Sequence, residues 1–221
     1  MRCLLPFLII SLTVQPCHAW SACGHHIMAL LAYDLLTPAE QQQLLLLLEV
    51  HPRFAEDFEA PVNVDTPEKR PHWLIGRAGY WPDVARRVPE FNRPNWHYQL
   101  GSSLTIGQNV RIPATPGPLP ADATMETRDL HITQAIELCR RVLQDRSQPA
   151  PDRAVAVCWL AHLVADAHQP CHAGSLYVEG IFPEGDRGAN SIPTKQGRNS
   201  FTRKRARDTR TPLVTTVRRV A

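Results

Sequence analysis

The segment at residues 162–172, HLVADAHQPCH, constrains the fold of this 221-residue chain more than any other. It places three histidines and one aspartate in sequence that is otherwise apolar and helix-forming. Polar side chains on a buried helix face are costly to desolvate unless a partner compensates them. Because His162 and Asp166 are four residues apart, a helix stacks them on one face, whereas His168 points away by roughly 200 degrees. The fold must therefore bring compensating groups to that face.

A metal ion is one such compensating group. Pro170 ends the helix, and the chain after it can turn His172 back toward His162 and Asp166. Neutral imidazoles and carboxylates are zinc ligands, and a carboxylate can bridge two ions through its two oxygens, which makes Asp166 the natural bridge. The alternative for the pair alone is a hydrogen bond inside a helix. The nearby His172 favours a metal ion over this hydrogen bond.

Composition indicates a globular chain of single-domain length, since 43% of residues are hydrophobic and 20% are charged. The net charge of +3 comes from the end of the chain, because residues 200–221 hold seven Lys or Arg against one acidic residue. The remainder is slightly acidic. Overall charge is therefore no argument for a nucleic-acid partner.

Residues 1–19 have the pattern of a secretory signal peptide. Arg2 is followed by an apolar run at residues 4–14, which is too short to span a membrane, and by a small-x-small cleavage site that ends at Ala19. Cleavage there leaves Trp20 with a free α-amine. We expect a secreted or periplasmic protein without a stable membrane anchor.

The cysteines leave two questions open: how the chain is processed near Cys17, and whether the later cysteines form disulfides. A lipoprotein anchored through Cys17 is the alternative to a cleaved signal, although Pro16 stands where a small residue is expected. An oxidising compartment permits disulfides among the four cysteines that follow. Cys23 and Cys171 each lie within two residues of a candidate histidine ligand, so we predict that they pair. Small buried thiols are the alternative for all four.

The pattern of apolar residues predicts helices joined by loops and therefore an all-α fold. A capping box that starts at Thr37, with Pro38 at the first helical position, opens the second helix. Residues 51–77 contain four prolines and predict a long loop with at most a short helix. Residues 100–120, rich in Gly, Pro and Ser, predict another loop, and strand candidates are scarce. The helical segments are residues 24–36, 41–50, 80–87, 124–143 and 152–167.

Three other segments carry groups that could join the same site. Asp83 ends the sequence YWPD, on the first turn of a short helix, and His97 lies among aromatic residues in NWHY. Each alone has an ordinary explanation: an acid favoured by the helix dipole, and a half-buried histidine. Near the new terminus, the α-amine of Trp20 lies close in sequence to His25, and such an amine can lose its proton to a metal.

These motifs, together with GDRGAN at residues 185–190, resemble in order and spacing the S1/P1 family of zinc-dependent, single-strand-preferring nucleases. That family shares its mainly helical fold with bacterial zinc phospholipase C. The resemblance runs from Trp20 to about Asn199 and implies three zinc ions in a cleft. It implies that the ligands are Asp83, His97, His162 and Asp166 for the first ion, Trp20, His25 and Asp166 for the second, and His172 for the third.

The resemblance also implies roles in catalysis. The family uses metal-activated water to hydrolyse phosphodiester bonds of DNA or RNA and releases 5′-phosphate products. Asp83 would orient the attacking water, and Arg86 would bind the scissile phosphate, unless it is a solvated surface arginine. Tyr98 would stack a nucleobase, which favours unpaired strands, or else pack in the core. Asn190 would contact substrate or only shape a glycine-rich turn.

The end of the chain departs from the family pattern. That pattern continues with Asn-Leu-His and then Trp-Asp, which complete the third zinc site, whereas no histidine follows His172 here. With Asp186 as the only substitute ligand, we expect two complete zinc sites, an incomplete third site and impaired activity. We expect a signal peptide at residues 1–19, a helical nuclease-like domain at 20–199, and a basic tail at 200–221. The tail is either out of frame or truncated, or an arm that binds nucleic-acid backbone.

Two other function classes stay open at this stage. The same metals could serve a phospholipase C-like phosphoesterase, although the sequence has no obvious apolar groove for a lipid. The chain could also be an inactive family member that binds zinc or misfolds. For the nuclease we expect single-stranded nucleic acid as the partner and a monomeric state.

Overall fold

The computed structural model describes residues 22–60, 67–99, 101–189 and 191–192. The predicted signal peptide, the basic tail, Trp20 and Asn190 lie outside these residues. Within them the chain is mainly helical, which confirms the predicted all-α class. The helices are α1 (Ala22–Asp34), α2 (Pro38–Glu49), α3 (Arg70–Ala85), α4 (Ile132–Gln144), α5 (Ala150–Ala167) and α6 (Pro170–Ala173), and the strands are β1 (Ser102–Ile106) and β2 (Ser175–Val178). Single turns of π-helix (Ala55–Glu59) and of 3₁₀-helix (Pro67–Lys69 and Pro94–His97) lie between them.

The chain forms two compact units. Among the described residues, the first comprises residues 22–60, 67–99 and 115–173 and contains all the helices named above. The second comprises residues 101–114, 174–189 and 191–192 and contains both strands. None of the described helices combines the length and the apolar character needed to cross a bilayer.

Helix α5 is the centre of the first unit and packs against α1, α2, α3 and α4. Its buried residues include small alanines as well as Trp159 and Leu163. A helix that is apolar on most sides is stable only when other helices cover it. The small side chains let those helices approach closely, so the polar residues of α5 are enclosed within the core.

The predicted start of α2 is confirmed in atomic detail. Thr37 Oγ1 accepts a hydrogen bond from the Glu40 amide at 3.4 Å, and Glu40 Oε2 accepts one from the Thr37 amide at 2.8 Å. Pro38 occupies the first turn, where its missing N–H leaves no hydrogen bond unmade. This capping box is local in sequence, which is why it could be recognised there.

The predicted loop at residues 51–77 ends earlier than expected, and the helix predicted at residues 80–87 is the end of a longer helix. Helix α3 begins at Arg70 and runs for 16 residues. Pro71 lies in its first turn, where proline is tolerated, and so did not mark a loop. Burial of Leu74 and Trp81 against neighbouring helices stabilises α3 despite the internal Pro82. Tertiary contacts therefore outweighed the local proline signal.

The predicted loop at residues 100–120 contains strand β1, which pairs in parallel with β2. Thr105 lies opposite Tyr177, and the register shifts between Ser102 and Leu104. The partner of β1 lies about seventy residues further along the chain, so a local pattern could not reveal it. The five residues of β1 are all exposed, and they lack the alternation that marks a half-buried strand.

His51 is a buried histidine in the first unit, outside any predicted site. Its ring lies 4.4 Å from that of Trp81 and 5.0 Å from that of Phe58, and its Nδ1 accepts a hydrogen bond from the Arg53 amide at 3.1 Å. Burial lowers its pKa to about 3, although Asp57 acts in the opposite direction. His51 is therefore neutral in the folded chain at any moderate pH.

Lowering the pH from 7 to 5 should reduce the free energy of unfolding by about 2 kcal/mol through His51 alone. An unfolded histidine titrates near 6.5 and this one near 3. Below pH 6.5 the unfolded state therefore binds a proton that the folded state excludes, so the free energy of unfolding decreases as the pH is lowered. Urea unfolding of metal-free wild type and His51→Gln at both pH values measures the difference. The wild type should lose about 2 kcal/mol more than the variant, and equal losses would contradict the assignment.

Candidate metal centre

Asp166 lies at the centre of four buried histidines, and we call these five side chains the Asp166 cluster. Asp166 Oδ2 lies 3.1 Å from His97 Nδ1 and 3.1 Å from His162 Nε2. Its Oδ1 lies 3.3 Å from His172 Nδ1 and 3.4 Å from His25 Nε2. One carboxylate is thus within hydrogen-bonding range, or close to it, of imidazoles from several parts of the chain.

Four separate elements of the first unit supply this cluster. His162 and Asp166 lie one turn apart on α5, and His25 comes from α1. His97 ends the 3₁₀ turn Pro94–His97, and His172 lies on the short helix α6. The ring of His25 stacks on that of His162 at 3.9 Å, with an angle of 16° between their planes. The residues that the sequence analysis assigned to metal binding in these segments therefore lie together.

Backbone carbonyls determine which nitrogen atoms carry protons. His162 Nδ1 lies 2.9 Å from the carbonyl oxygen of Gly79, and His172 Nδ1 lies 3.0 Å from that of His97. A carbonyl oxygen only accepts hydrogen bonds, so both Nδ1 atoms are donors. When Nδ1 alone carries a proton, Nε2 of His162 has a lone pair, and it points toward Asp166 Oδ2.

This arrangement fits a metal ion. The lone pair of His162 Nε2 faces the ionised carboxylate oxygen at 3.1 Å and His97 Nδ1 at 3.0 Å. Two lone pairs at such a distance repel each other unless a proton or a cation lies between the atoms. Imidazole nitrogen and carboxylate oxygen are also the donor set that zinc prefers. Two overlapping groups, each with donor atoms within 4.8 Å of one another, could hold a metal: His25, Asp83 and His162, and His97, His162 and Asp166.

Burial and charge favour the protonation states that bind metals. Burial lowers the pKa of His97 to about 4, although Asp166 raises it, and burial also lowers the pKa of His25. Burial by itself raises the pKa of Asp166, but its contacts with the four histidines outweigh burial and hold that pKa well below its usual range. At neutral pH, His25 and His97 are therefore neutral and Asp166 is ionised.

Asp83 and Arg86 lie at the C-terminal end of α3, beside the cluster. Arg86 Nε donates to Asp83 Oδ1 at 2.8 Å, and Arg86 also hydrogen-bonds the Tyr98 side chain. Burial raises the pKa of Asp83, but the charges of His162, His97 and Arg86 lower it by more. The pKa is therefore below its usual value, and Asp83 is ionised. The Arg86 side chain is 39% exposed, which leaves a cation accessible at the edge of the cluster.

Tyr98 is half-buried, and its ring lies 4.7 Å from that of His172, tilted by 39°. The other predicted positions lie elsewhere. Trp20 and Asn190 are outside the described residues. Asp186 belongs to the second unit, where its Oδ1 accepts a hydrogen bond from the Leu176 amide at 3.2 Å. Asp186 was predicted only as a substitute ligand, and this hydrogen bond gives it a structural role.

Two residues that support the cluster were not predicted from the sequence. The ring of Trp159 lies 5.3 Å from that of His97 and packs against Trp96 at 4.8 Å. Gly79 supplies the carbonyl group that holds His162. Trp159 lies three residues before His162 on α5, and this spacing could have indicated that Trp159 lies near the cluster. No sequence signal marks a carbonyl group as a partner.

The histidine and cysteine alternatives are also resolved for the described residues. His168 is exposed, and its Nδ1 donates to the Val164 carbonyl oxygen at 2.7 Å, a structural contact at the end of α5. The predicted Cys23–Cys171 disulfide is not formed in the described residues. Cys139 and Cys158 are buried thiols, and burial raises the pKa of each. For these two, the alternative of small core residues holds.

Comparison with known proteins adds the family. Residues 20–203 match the model of the S1/P1 nuclease family, which is most of the chain. No curated protein and no solved structure matches. The match includes each segment that contributes to the Asp166 cluster, from His25 to His172. The chain therefore belongs to the S1/P1 nuclease family, and with it to the enzymes that hydrolyse phosphodiester bonds.

Proposed function

We propose that this nuclease is a zinc-dependent endonuclease that cleaves single-stranded DNA or RNA. The observation that carries the proposal is the Asp166 carboxylate with four imidazoles within 3.4 Å of it, all buried in a member of a nuclease family. A carboxylate with two available oxygens suits a site with more than one ion. Secretion after cleavage at Ala19 is part of the proposal, because it creates the Trp20 α-amine as a further ligand.

The proposed ligand sets follow the positions that match the family. One ion is held by Asp83, His97, His162 and Asp166, and a second by His25, Asp166 and the amine and carbonyl of Trp20. His172 contributes to a third site, which is proposed to be incomplete because His172 is the only ligand assigned to it. When bound, zinc activates water and neutralises negative charge on the phosphate group. Two tightly held ions per chain are therefore proposed.

Asp83 and Arg86 are the proposed catalytic side chains. The ionised Asp83 carboxylate accepts a hydrogen bond from the attacking water and so orients it toward phosphorus. Arg86 donates one hydrogen bond to Asp83 through Nε and also hydrogen-bonds Tyr98, and its other N–H groups are available to bind the oxygens of the scissile phosphate. The contact between the two side chains, at 2.8 Å, thus brings water and phosphate to adjacent positions.

Tyr98 and Asn190 are the proposed substrate contacts. The Tyr98 ring is half-buried and tilted against His172, so part of it is accessible beside the proposed metal ligands. A nucleobase can stack on an aromatic ring only when it is not already stacked in a duplex, which supports single-stranded substrates. Asn190 is the last residue of the family motif GDRGAN and is proposed from that match.

Hydrolysis assays with and without a chelator test the proposal. The protein that lacks residues 1–19 is incubated with single-stranded DNA, with duplex DNA of the same sequence, and with phosphatidylcholine vesicles. We expect cleavage of single-stranded DNA that a chelator abolishes and added zinc restores. Release of phosphocholine without DNA cleavage would instead select the phospholipase-like function, and hydrolysis of neither substrate would select an inactive family member.

A further inference from the structure

Gly79 lies where helices α1 and α3 are in close contact. A methyl group at this position would lie 2.7 Å from Ala29 Cβ and 2.8 Å from the His25 carbonyl oxygen. Both distances are shorter than van der Waals contact, and the second involves backbone that cannot rotate away. Gly79 and Ala29 are both buried. Any side chain at residue 79 therefore displaces the segment of α1 that carries His25.

The carbonyl group of the same residue holds a second member of the Asp166 cluster. The Gly79 carbonyl oxygen accepts a hydrogen bond from His162 Nδ1 at 2.9 Å. This bond determines the tautomer of His162, since the proton on Nδ1 leaves the lone pair on Nε2, 3.1 Å from Asp166 Oδ2. Hydrogen bonds of this kind orient histidine ligands and affect metal affinity by about 10- to 100-fold.

We infer that Gly79 is a positioning residue of the metal centre. Its missing side chain sets the separation of α1 and α3 that brings His25 to Asp166, and its carbonyl group keeps His162 Nε2 free to bind metal. The two effects act on the two rings that stack at 3.9 Å. This inference rests on the metal binding in the proposed function, and it assigns that function a determinant which is not itself a ligand.

Gly76, one turn earlier on α3, provides a matched control. It is also buried, but the atoms nearest to a methyl group there belong to the His26 side chain, the closest at 3.3 Å. A ring can shift by a few tenths of an ångström, whereas the His25 backbone cannot shift without moving α1. Gly76→Ala and Gly79→Ala make the same chemical change in the same helix. They gain the same helix propensity, about 1 kcal/mol.

Zinc titration against a competing chelator, below the unfolding temperature of each variant, tests the inference. Gly79→Ala should weaken zinc binding by about 10- to 100-fold, and Gly76→Ala should retain the wild-type affinity. Nitrogen NMR of the metal-free proteins adds a readout that altered stability alone would not change. His162 should carry its proton on Nδ1 in the wild type and in Gly76→Ala, and lose this preference in Gly79→Ala.

The outcomes separate this inference from the proposed function. A folded Gly79→Ala protein with wild-type zinc affinity and wild-type His162 nitrogen shifts would overturn the inference. If the wild type binds no zinc, the proposed function fails, and the NMR spectra of the metal-free proteins still judge the role of Gly79. Should Gly79→Ala not fold, the double variant with Ala29→Gly removes the contact at 2.7 Å and keeps the one with His25. The same loss of affinity and of the Nδ1 proton is expected for it.

Discussion

Asp166→Asn is expected to lower hydrolysis of single-stranded DNA by about a thousandfold, because metal ions supply several kcal/mol of transition-state stabilisation and this carboxylate is their proposed bridge. Asparagine has nearly the same shape but no negative charge and only one oxygen. It cannot balance two divalent cations, and we expect the two tightly bound zinc ions per chain of the wild type to be lost. Activity assays and metal counting on the same preparation measure both effects.

Asp152→Asn is the matched control for this variant. Asp152 lies on the same helix, half-buried in its first turn and about 21 Å away along the axis at 1.5 Å per residue. The same isosteric change at this distance should leave both zinc content and activity close to those of the wild type. An Asp166→Asn protein with two tightly bound zinc ions would argue against the bridging role, and so would wild-type turnover.

Arg86→Ala should reduce kcat/KM for single-stranded DNA by about a hundredfold, since loss of one positioned donor to a developing charge has effects of this order. Arg86 is held by Asp83 at 2.8 Å and by Tyr98, so it is oriented before any substrate binds. Zinc content should not change, because arginine is not a ligand. Steady-state kinetics together with metal counting check this result.

Arg87→Ala is its matched control, because Arg87 is the exposed neighbour on the same segment. Both variants lose one positive charge, so the long-range attraction for a polyanion changes equally. The difference between them therefore reports the local contact of Arg86 with substrate. Equal kinetics for the two variants would mean that Arg86 is only a solvated surface cation.

Local sequence patterns predicted those parts of the fold whose interactions are local. The capping box at Thr37 and the apolar helix α5 were recognised because their partners lie within a few residues. Helix α3 was missed over most of its length, since prolines in its sequence resemble loop signals and only packing against α1 and α5 overcomes them. Strand β1 was missed because its partner is remote in sequence.

The candidate site, like the fold, could be predicted from the sequence only in part. The types of its side chains, and the one-turn spacing of His162 and Asp166, could be read from the sequence. The convergence of His25 and His97 on Asp166 was expected from a resemblance to a family, not from their spacing. The hydrogen bond from His162 to the Gly79 carbonyl group could not be expected at all, because every residue has a carbonyl group.

The sequence by itself determined the chemistry of this protein: which side chains can bind a cation, and that two of them, His162 and Asp166, share one face of α5. Only the tertiary structure decided how these groups meet. The distance between α1 and α3 depends on a residue without a side chain, and the lone pair of His162 depends on a backbone oxygen from a different helix. Both are properties of contacts between segments far apart in the chain, and such contacts exist only once the core has packed.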